Sequence, residues 1–434
     1  MSNNNFTTFT IQCQDFICEN SEQYEENKRI LHFHSTKRTA DVRCPHCDGS
    51  VIGHGMTKTK LYDLPYTPGY PTIYEVCQHR YECKKCGATF TEENPFRCPH
   101  FNLTKRCVEW ICQLLWYQIP TATIAQFMGI HWNTVRKIQK ARMDYCLRKE
   151  DEKRLSSSYR PYYLAVDEFA IHKGHRYATC VMDLVRGDVL WVGKGRAMKD
   201  FVKFFEHFAS NDYLSEVKAV AMDMNASYNR LVEENLPNAQ IVYDRFHVQS
   251  QFGRDVLGQV RLAEAKRHQV AAKDLLHENA TKEQIRAEKR LYTQVKKSRW
   301  TLLRNREKLS DERKKSLNEI LESHSDLSVC YAMKEELTEL FKITDESTAK
   351  TRWDKWFDAA IHSGIKPLEK FGKQKQKRLD GLIAHAKFQI NTGKLEGFNN
   401  KIKVAKRNAY GYRNLDYFFS YIRFLSVRSF SKNT

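Results

Sequence analysis

Apolar positions between residues 162 and 248 alternate between two periods. Tyr163-Leu164-Ala165-Val166 is an unbroken apolar run that ends in Asp167-Glu168. A second run, Tyr177 to Leu184, follows a Lys173-Gly174 turn signal, and a third, Val189 to Val192, follows Arg186-Gly187. Short runs separated by such turns predict three strands joined by hairpins. Phe201, Phe204, Phe205 and Phe208 then fall at i, i+3, i+4 and i+7, which predicts a helix over Met198 to Ala209. Val217 to Asp223 predicts a fourth strand, Ala226 to Glu234 a helix and Ala239 to Asp244 a fifth strand. The predicted order is β-β-β-α-β-α-β.

Acids fall at matching places in this pattern. Asp167 is expected to close the first strand and Asp223 the fourth, both on runs apolar enough for strands covered on two faces. If those strands pair, the two carboxylates share one edge of the sheet. Close carboxylates repel, and hard divalent cations relieve the repulsion. Two such ions can clamp the attacking and leaving oxygens of a phosphodiester. The competing reading is that strand-ending Asp residues only form turns. Glu168, adjacent in an extended chain, is expected to point the other way.

Upstream, Cys44-Pro45-His46-Cys47 and Cys83-Lys84-Lys85-Cys86-Gly87 are two C-x-x-C knuckles. Two knuckles can complete a four-sulfur tetrahedral zinc site; a redox dithiol or free thiols is the alternative. The 48–82 spacer is long for a short zinc motif, so structure of its own is expected there, with strands at Arg80-Tyr81-Glu82 and Ala88-Thr89-Phe90. Cys98 and His100 are candidate substitute ligands with a poorer spacing. Phe9 to Cys18 and His32 to Ser35 are weaker strand candidates.

Leu103 to Gln118 predicts a helix that Pro120 stops. Ile124, Phe127 and Met128 mark a second, and Trp132 to Met143 a third. Ala125, Gly129 and Val135 have helix-turn-helix spacing, which would offer Asn133, Thr134, Arg136 and Lys137, with His131, to a DNA groove. A plain three-helix bundle is the alternative. The charged 147–160 stretch, with Ser156-Ser157-Ser158, reads as a linker.

Beyond Val248 strand signals fade. Helices are expected over Leu275 to Leu303, Asp311 to Leu321, Ala332 to Phe341 and Trp353 to Ile361, with Thr281, Ser310 and Asp345 as caps. Trp300, Trp353 and Trp356 are expected in the core, the alternative being stacking on an unpaired base. A last pattern, Lys394 to Arg407, places Leu395, Phe398, Ile402 and Ala405 on one face. Glu396, Asn399, Asn400 and Lys403 form a polar stripe.

Composition adds a partner and a compartment. The 434 residues carry 71 Lys and Arg against 52 Asp and Glu, a formal charge of +19, which favours a polyanion such as nucleic acid. The polar start, Met1-Ser2-Asn3-Asn4-Asn5, has no signal-peptide core, and no apolar run reaches the roughly 20 residues of a membrane span. Thirteen cysteines suit thiols and a metal better than a disulfide framework.

Val166-Asp167-Glu168-Phe169, Lys173-Gly174-His175, the Asp223 turn, Asp244-Arg245-Phe246-His247 and Leu395-Glu396-Gly397-Phe398-Asn399-Asn400 occur in this order. Together with the strand pattern, the chain resembles DDE transposases of the ISL-three family of bacterial insertion sequences. The resemblance implies a multidomain α+β chain: an N-terminal zinc-knuckle module (1–100), a helix-turn-helix domain (101–150), and a ribonuclease H-like α/β catalytic core. The core would comprise 151–247 and C-terminal helices at 388–434, interrupted by an all-α insertion at 248–387. It further implies strand cleavage and strand transfer at transposon ends. Asp167, Asp223 and Glu396 are the expected triad for magnesium or manganese, with Asp167 bridging both ions. Asp244 is an alternative second carboxylate, and His247 is a candidate for phosphate positioning. Expected partners are double-stranded DNA, as transposon ends and target, and further copies of the chain, as a dimer or higher. The expected place is the bacterial cytoplasm, at the nucleoid. A catalytically inactive DNA-binding regulator, or a nuclease that cuts without joining, are the competing functions.

Overall fold

The computed structural model describes residues 15–18, 23–25, 27–172, 176–278, 280–409 and 411–427. The Lys173-Gly174 turn, His175, most of the Phe9 to Cys18 candidate and Tyr410 lie outside them. The chain forms two compact units: 1–152 with 402–424, and 153–401 with 425–434.

The first unit begins with a sheet of β1 (Phe16–Cys18), β2 (Gln23–Glu25), β3 (Lys28–Ser35), β4 (Val51–Thr67), β5 (Tyr70–Cys83) and β6 (Thr89–Thr91). Its order is β1-β3-β5-β4, with β2 added to β3 and β6 to β5. The long β4–β5 hairpin fills the spacer between the two cysteine pairs and pairs Val51 with Cys83.

Three helices follow: α1 (Lys105–Trp116), α2 (Thr121–Met128) and α3 (Trp132–Ser156). Thr104 caps α1 by accepting the Cys107 N–H. Gly129 ends α2 at φ +63°, and a Cβ there would lie 2.6 Å from the Pro71 ring, so both backbone and space require glycine. Ile111, Ile124, Val135 and Ile138 are buried together between the three helices.

Helix α3 runs on through most of the stretch expected to be a linker. Met143, Cys146, Leu147, Glu150 and Arg154 continue its buried side. Two of these are charged, so an apolar-pattern reading loses the helix. The segment 402–424 groups with this unit rather than with the sheet of the second. There α16 (Leu415–Ser426) places Tyr417 Oη on Gln139, Arg423 Nη2 2.6 Å from Asp151, and Phe424 against Trp116.

The second unit opens with β7 (Tyr163–His172), β8 (Arg176–Asp183) and β9 (Val189–Lys194). It continues through α4 (Met198–Phe208), β10 (Ala219–Met222), α5 (Ala226–Asn235) and β11 (Gln240–Tyr243). The sheet order is β11-β10-β7-β8-β9. β7 is parallel to β10 and β10 to β11, while β7, β8 and β9 form antiparallel hairpins.

β7 does not end at Asp167. It continues to His172, with Phe169 and Ile171 buried in alternation; Phe169 and Ala170 pair with β8, and the register shifts between Ala170 and His172. The strand that stops beside Asp167 is β10.

Helices make up the rest: α6 (Arg245–Phe252), a π turn at Gly253–Leu257, α7 (Gly258–His277), α8 (Lys282–Lys297), α9 (Arg299–Leu303), α10 (Asp311–Ser323) and α11 (Ser325–Leu340). Then come α12 (Glu346–Ile361), α13 (Lys366–Gln376), α14 (Leu379–Lys387) and α15 (Gly393–Asn408). The helix expected over Leu275 to Leu303 is broken after His277. Thr281 restarts it through a capping box with Gln284. Asp345 caps α12 by accepting the Thr348 N–H, whereas Ser310 makes no side-chain cap bond.

One apolar cluster joins sheet residues such as Val220 and Tyr243 to Phe252, Trp353, Trp356 and Phe371 of the helices. Trp300 is instead exposed, with the Arg299 guanidinium over its ring. Helix α14 lies close on β11, where a Cβ on Gly381 would come within 2.4 Å of the Tyr243 ring.

Candidate metal and nucleic-acid sites

The register of the parallel pair places the first two acids. Ala221 pairs with Ala165, so Asp223, two residues on, stands level with Asp167 where β10 has ended. Asp167 Oδ1 accepts the Glu168 N–H at 2.8 Å, and Oδ2 accepts Asn399 Nδ2 at 2.7 Å. Burial pushes the Asp167 carboxyl up to about 6, with Glu168 and Glu396 adding repulsion and His247 pulling the other way.

Asp223 is half exposed. Its Oδ1 accepts the Met224 N–H at 2.6 Å, and its Oδ2 lies 3.7 Å from His247 Nδ1. Glu396 stands in the first turn of α15, three residues before Asn399. His247 and Glu396 therefore both act on Asp167, and His247 also faces Asp223.

The three acids do not form a tight cluster. Among the described residues, two groups bring three or more ligand atoms within 4.8 Å of one another, and Asp167, Asp223 and Glu396 are not one of them. A pair of ions roughly 3.5–4 Å apart keeps its outer carboxylates further apart than a single ion does.

Asp244 has a different surrounding. Oδ1 accepts the Phe246 and His247 N–H groups, and Oδ2 accepts the Thr392 N–H at 2.8 Å and its hydroxyl. Burial would raise its carboxyl, but the bonds from Thr392 and Phe246 hold it below the usual range. It is 2% exposed. Asp244 thus caps α6 and ties the end of β11 to the residue that precedes α15.

Glu168 is nearer the acids than strand alternation suggests. Burial raises its carboxyl, Tyr228, Asn225 and Arg196 favour its charge, and Asp223 opposes it.

The bond from Asn399 to Asp167 was not announced by residue type. The signal available was the place of Asn399 three residues after Glu396 on the polar stripe. A basic groove beside Asp223 was not visible in sequence either: Arg230, Arg254, Lys375, Lys377 and Arg378 come to it from α5, the π turn and the end of α13.

In the first unit the β4–β5 pairing folds the two knuckles onto each other. Cys44 and Cys86 Sγ are 3.7 Å apart, Cys47 and Cys83 Sγ 3.4 Å, and all four form one cluster. Cys98 and His100 stand outside it. Backbone N–H groups point at the sulfurs: His46 to Cys44, and Lys85 and Cys86 to Cys83. The Cys86 and Lys85 N–H groups hold the Cys83 thiol down to about 6 against burial. Four converging sulfurs with donors already aimed at thiolate charge fit a tetrahedral thiophilic cation.

At the start of α3, Asn133, Arg136 and Lys137 are exposed and Thr134 is half-buried. The Arg136 guanidinium sits over the Tyr417 ring, 5.3 Å from its centroid.

Asp167 and Asp223 thus stand at one edge of a mixed sheet, and Glu396 lies one helical turn from the Asn399 that bonds Asp167. The family model described as Transposase, of the ISL3 (ISL-three) group of DDE transposases, matches residues 164–422. The transposase for insertion sequence element IS1001 of Bordetella parapertussis is 33% identical over 411 residues, covering 94% of this chain and 95% of that one. The transposase for IS1557 of Mycobacterium tuberculosis is 25% identical over 302 residues, 67% of this chain and 65% of that one. A solved Drosophila P element transposase strand transfer complex overlaps at a TM-score of 0.33 with 9% identity, over 75% of this chain and 91% of that chain. The chain belongs to the ISL3 family of DDE transposases. Catalysis in this family depends on divalent metal. Among the described residues no helix is long and apolar enough to cross a membrane.

Proposed function

We propose that this transposase binds the terminal repeats of its own insertion sequence, cleaves DNA there and joins the freed end to target DNA, with Asp167, Asp223 and Glu396 as its metal ligands. Asp167, level with Asp223 and oriented by Asn399, which lies one helical turn from Glu396, is the observation that carries this reading.

The oxygen-only donor set fits Mg2+, with Mn2+ as substitute. Bound there, such ions supply an activated water or 3′-hydroxyl and stabilise the leaving oxygen. Asp167, with one oxygen turned by Asn399, would be the ligand common to both ions. His247, beside Asp223, is placed to meet a phosphate. Asp244 acts through position, fixing the entry of α15 and so Glu396.

The β9-β8-β7-β10-β11 sheet is the ribonuclease H-like core of this reading, and α7 to α13 are the bulk of the insertion. Zn2+ in the four-cysteine cluster holds the amino-terminal module. The exposed start of α3, through Asn133, Thr134, Arg136 and Lys137, enters the DNA groove. Synapsis of two ends calls for a dimer or higher assembly.

The test uses purified protein, labelled duplex carrying the element's ends, and magnesium, with wild type and Glu396→Gln side by side. Cleavage and joined product in wild type alone are expected. Binding without cleavage in both would instead mark a regulator. Cutting by wild type without joined product would mark a nuclease, and equal cleavage in both would remove Glu396 from the site.

A further inference from the structure

The helical insertion contains a second group of converging ligands, distant in sequence from both sites above. Glu264 and His268 lie one turn apart on α7, and His324 lies at the junction of α10 and α11. Their ligand atoms fall within 4.8 Å of one another and all three residues are buried, at 8%, 8% and 2% exposure.

The hydrogen bonds of the two imidazoles fix which nitrogen faces inward. His324 Nδ1 lies 2.7 Å from the Ile320 carbonyl, which can only accept, so Nδ1 carries the hydrogen. His268 Nδ1 lies 2.6 Å from Glu288 Oε2 on α8, again an acceptor. Each neutral ring then presents a bare Nε2, and the two Nε2 atoms face each other at 2.8 Å. Two lone pairs at that distance require a positive centre between them. A shared proton, making His268 an imidazolium, would satisfy the nitrogens only. Glu264 Oε2, buried and 2.9 Å from Arg267 Nη2, would remain outside any hydrogen-bond alignment. A metal cation uses all three groups at once.

The outer contacts match that use. Metal-bound histidines generally donate the remote N–H to a carboxylate or a backbone carbonyl, which orients the ring and raises its basicity. Here Glu288 and the Ile320 carbonyl do so. Two neutral imidazoles and one carboxylate suit a borderline transition metal, as in the His2Glu sites of zinc enzymes. With a divalent ion, Glu264 and Glu288 balance the charge. With Zn–N bonds of about 2.0–2.1 Å, tetrahedral geometry places the nitrogens roughly 3.3 Å apart, so the rings need to part by about half an ångström.

We propose that Glu264, His268 and His324 form a binding site for a divalent transition metal, with Zn2+ as its natural match. It pins α7, and through Glu288 α8, to the α10–α11 junction.

The test is a Co2+ titration of full-length, metal-stripped, reduced protein in excess Mg2+, which occupies oxygen-only sites but competes poorly for imidazole. One phase with sulfur-to-cobalt charge transfer is expected from the cysteines. A second phase is expected with visible cobalt bands and no added sulfur signal. His324→Gln should abolish the second phase and leave the first intact. Glu264→Gln, which preserves shape, should weaken the second phase by more than the roughly 10–100-fold that losing a supporting partner costs. A wild-type protein without the second phase would overturn the proposal and make His268 the imidazolium, whatever the folding of either variant. So would a second phase unchanged in folded His324→Gln.

Discussion

Asn399 donates its side-chain N–H to Asp167 Oδ2, tying the first turns of α15 to the middle of β7. The bond runs between residues 232 positions apart in the chain. With the Glu168 N–H on Oδ1, it sets the orientation of a carboxyl that burial raises. Asn399→Ala should therefore lower single-turnover cleavage by about 10–100-fold, the usual cost of removing a supporting partner. Higher Mg2+ should recover part of the loss, while end binding by gel shift stays unchanged. Equal magnesium dependence in wild type and variant would reduce the bond to packing.

In the proposed site Asp244 acts through position. Asp244→Asn replaces an acceptor with a donor facing the Thr392 or Phe246 N–H. A loss of about 1–3 kcal/mol is expected, read as a lower urea midpoint. Cleavage should fall with a raised magnesium requirement, since the entry of α15 loosens. Thr392→Ser keeps the hydroxyl and should behave nearly as wild type. If Asp244 were itself an indispensable ligand, Asp244→Asn would be inactive at any magnesium concentration with its urea midpoint unmoved.

Cys83→Ser removes the sulfur that receives two backbone N–H groups. The expected outcome is one equivalent of zinc lost and rapid proteolysis within the first 100 residues, as follows from the coupling of metal binding to local folding. Helical content measured by circular dichroism should change little. Unchanged zinc content would exclude the four-cysteine site.

Lys375 is 4% exposed and bonds Gln251 Oε1 at 2.6 Å. Burial, aided by Arg378, pushes its ammonium down to about 8. Between that value and 10.5 the unfolded chain binds the extra proton, so stability from this group rises with pH and is lost as pH falls through about 8. Lys375→Met should consequently melt higher than wild type at pH 7, by on the order of 1–3 kcal/mol. The difference should shrink above pH 9. A constant difference across that range would mean the ammonium is well solvated.

The local elements were legible because each is written in neighbouring residues. The Phe201-Phe204-Phe205-Phe208 spacing is a helix wherever it packs, and the Arg186-Gly187 turn follows from residue type. The two C-x-x-C pairs announced a partnership, but their 48–82 spacer could not be read as a hairpin. Elements whose buried side carries charge were lost, as α3 shows beyond Met143, where Glu150 and Arg154 sit inside.

Sequence by itself determined which residues could hold metal and which strands could be central, since composition and period fix chemistry and burial. Tertiary structure alone decided the sheet register that sets Asp223 level with Asp167, the withdrawal of Asp244 into a cap, and the meeting of Asn399 with Asp167. It also decided that His268 faces His324. These outcomes depend on strand pairing and helix packing between residues far apart in the chain, where local pattern carries no information about which side chains will meet.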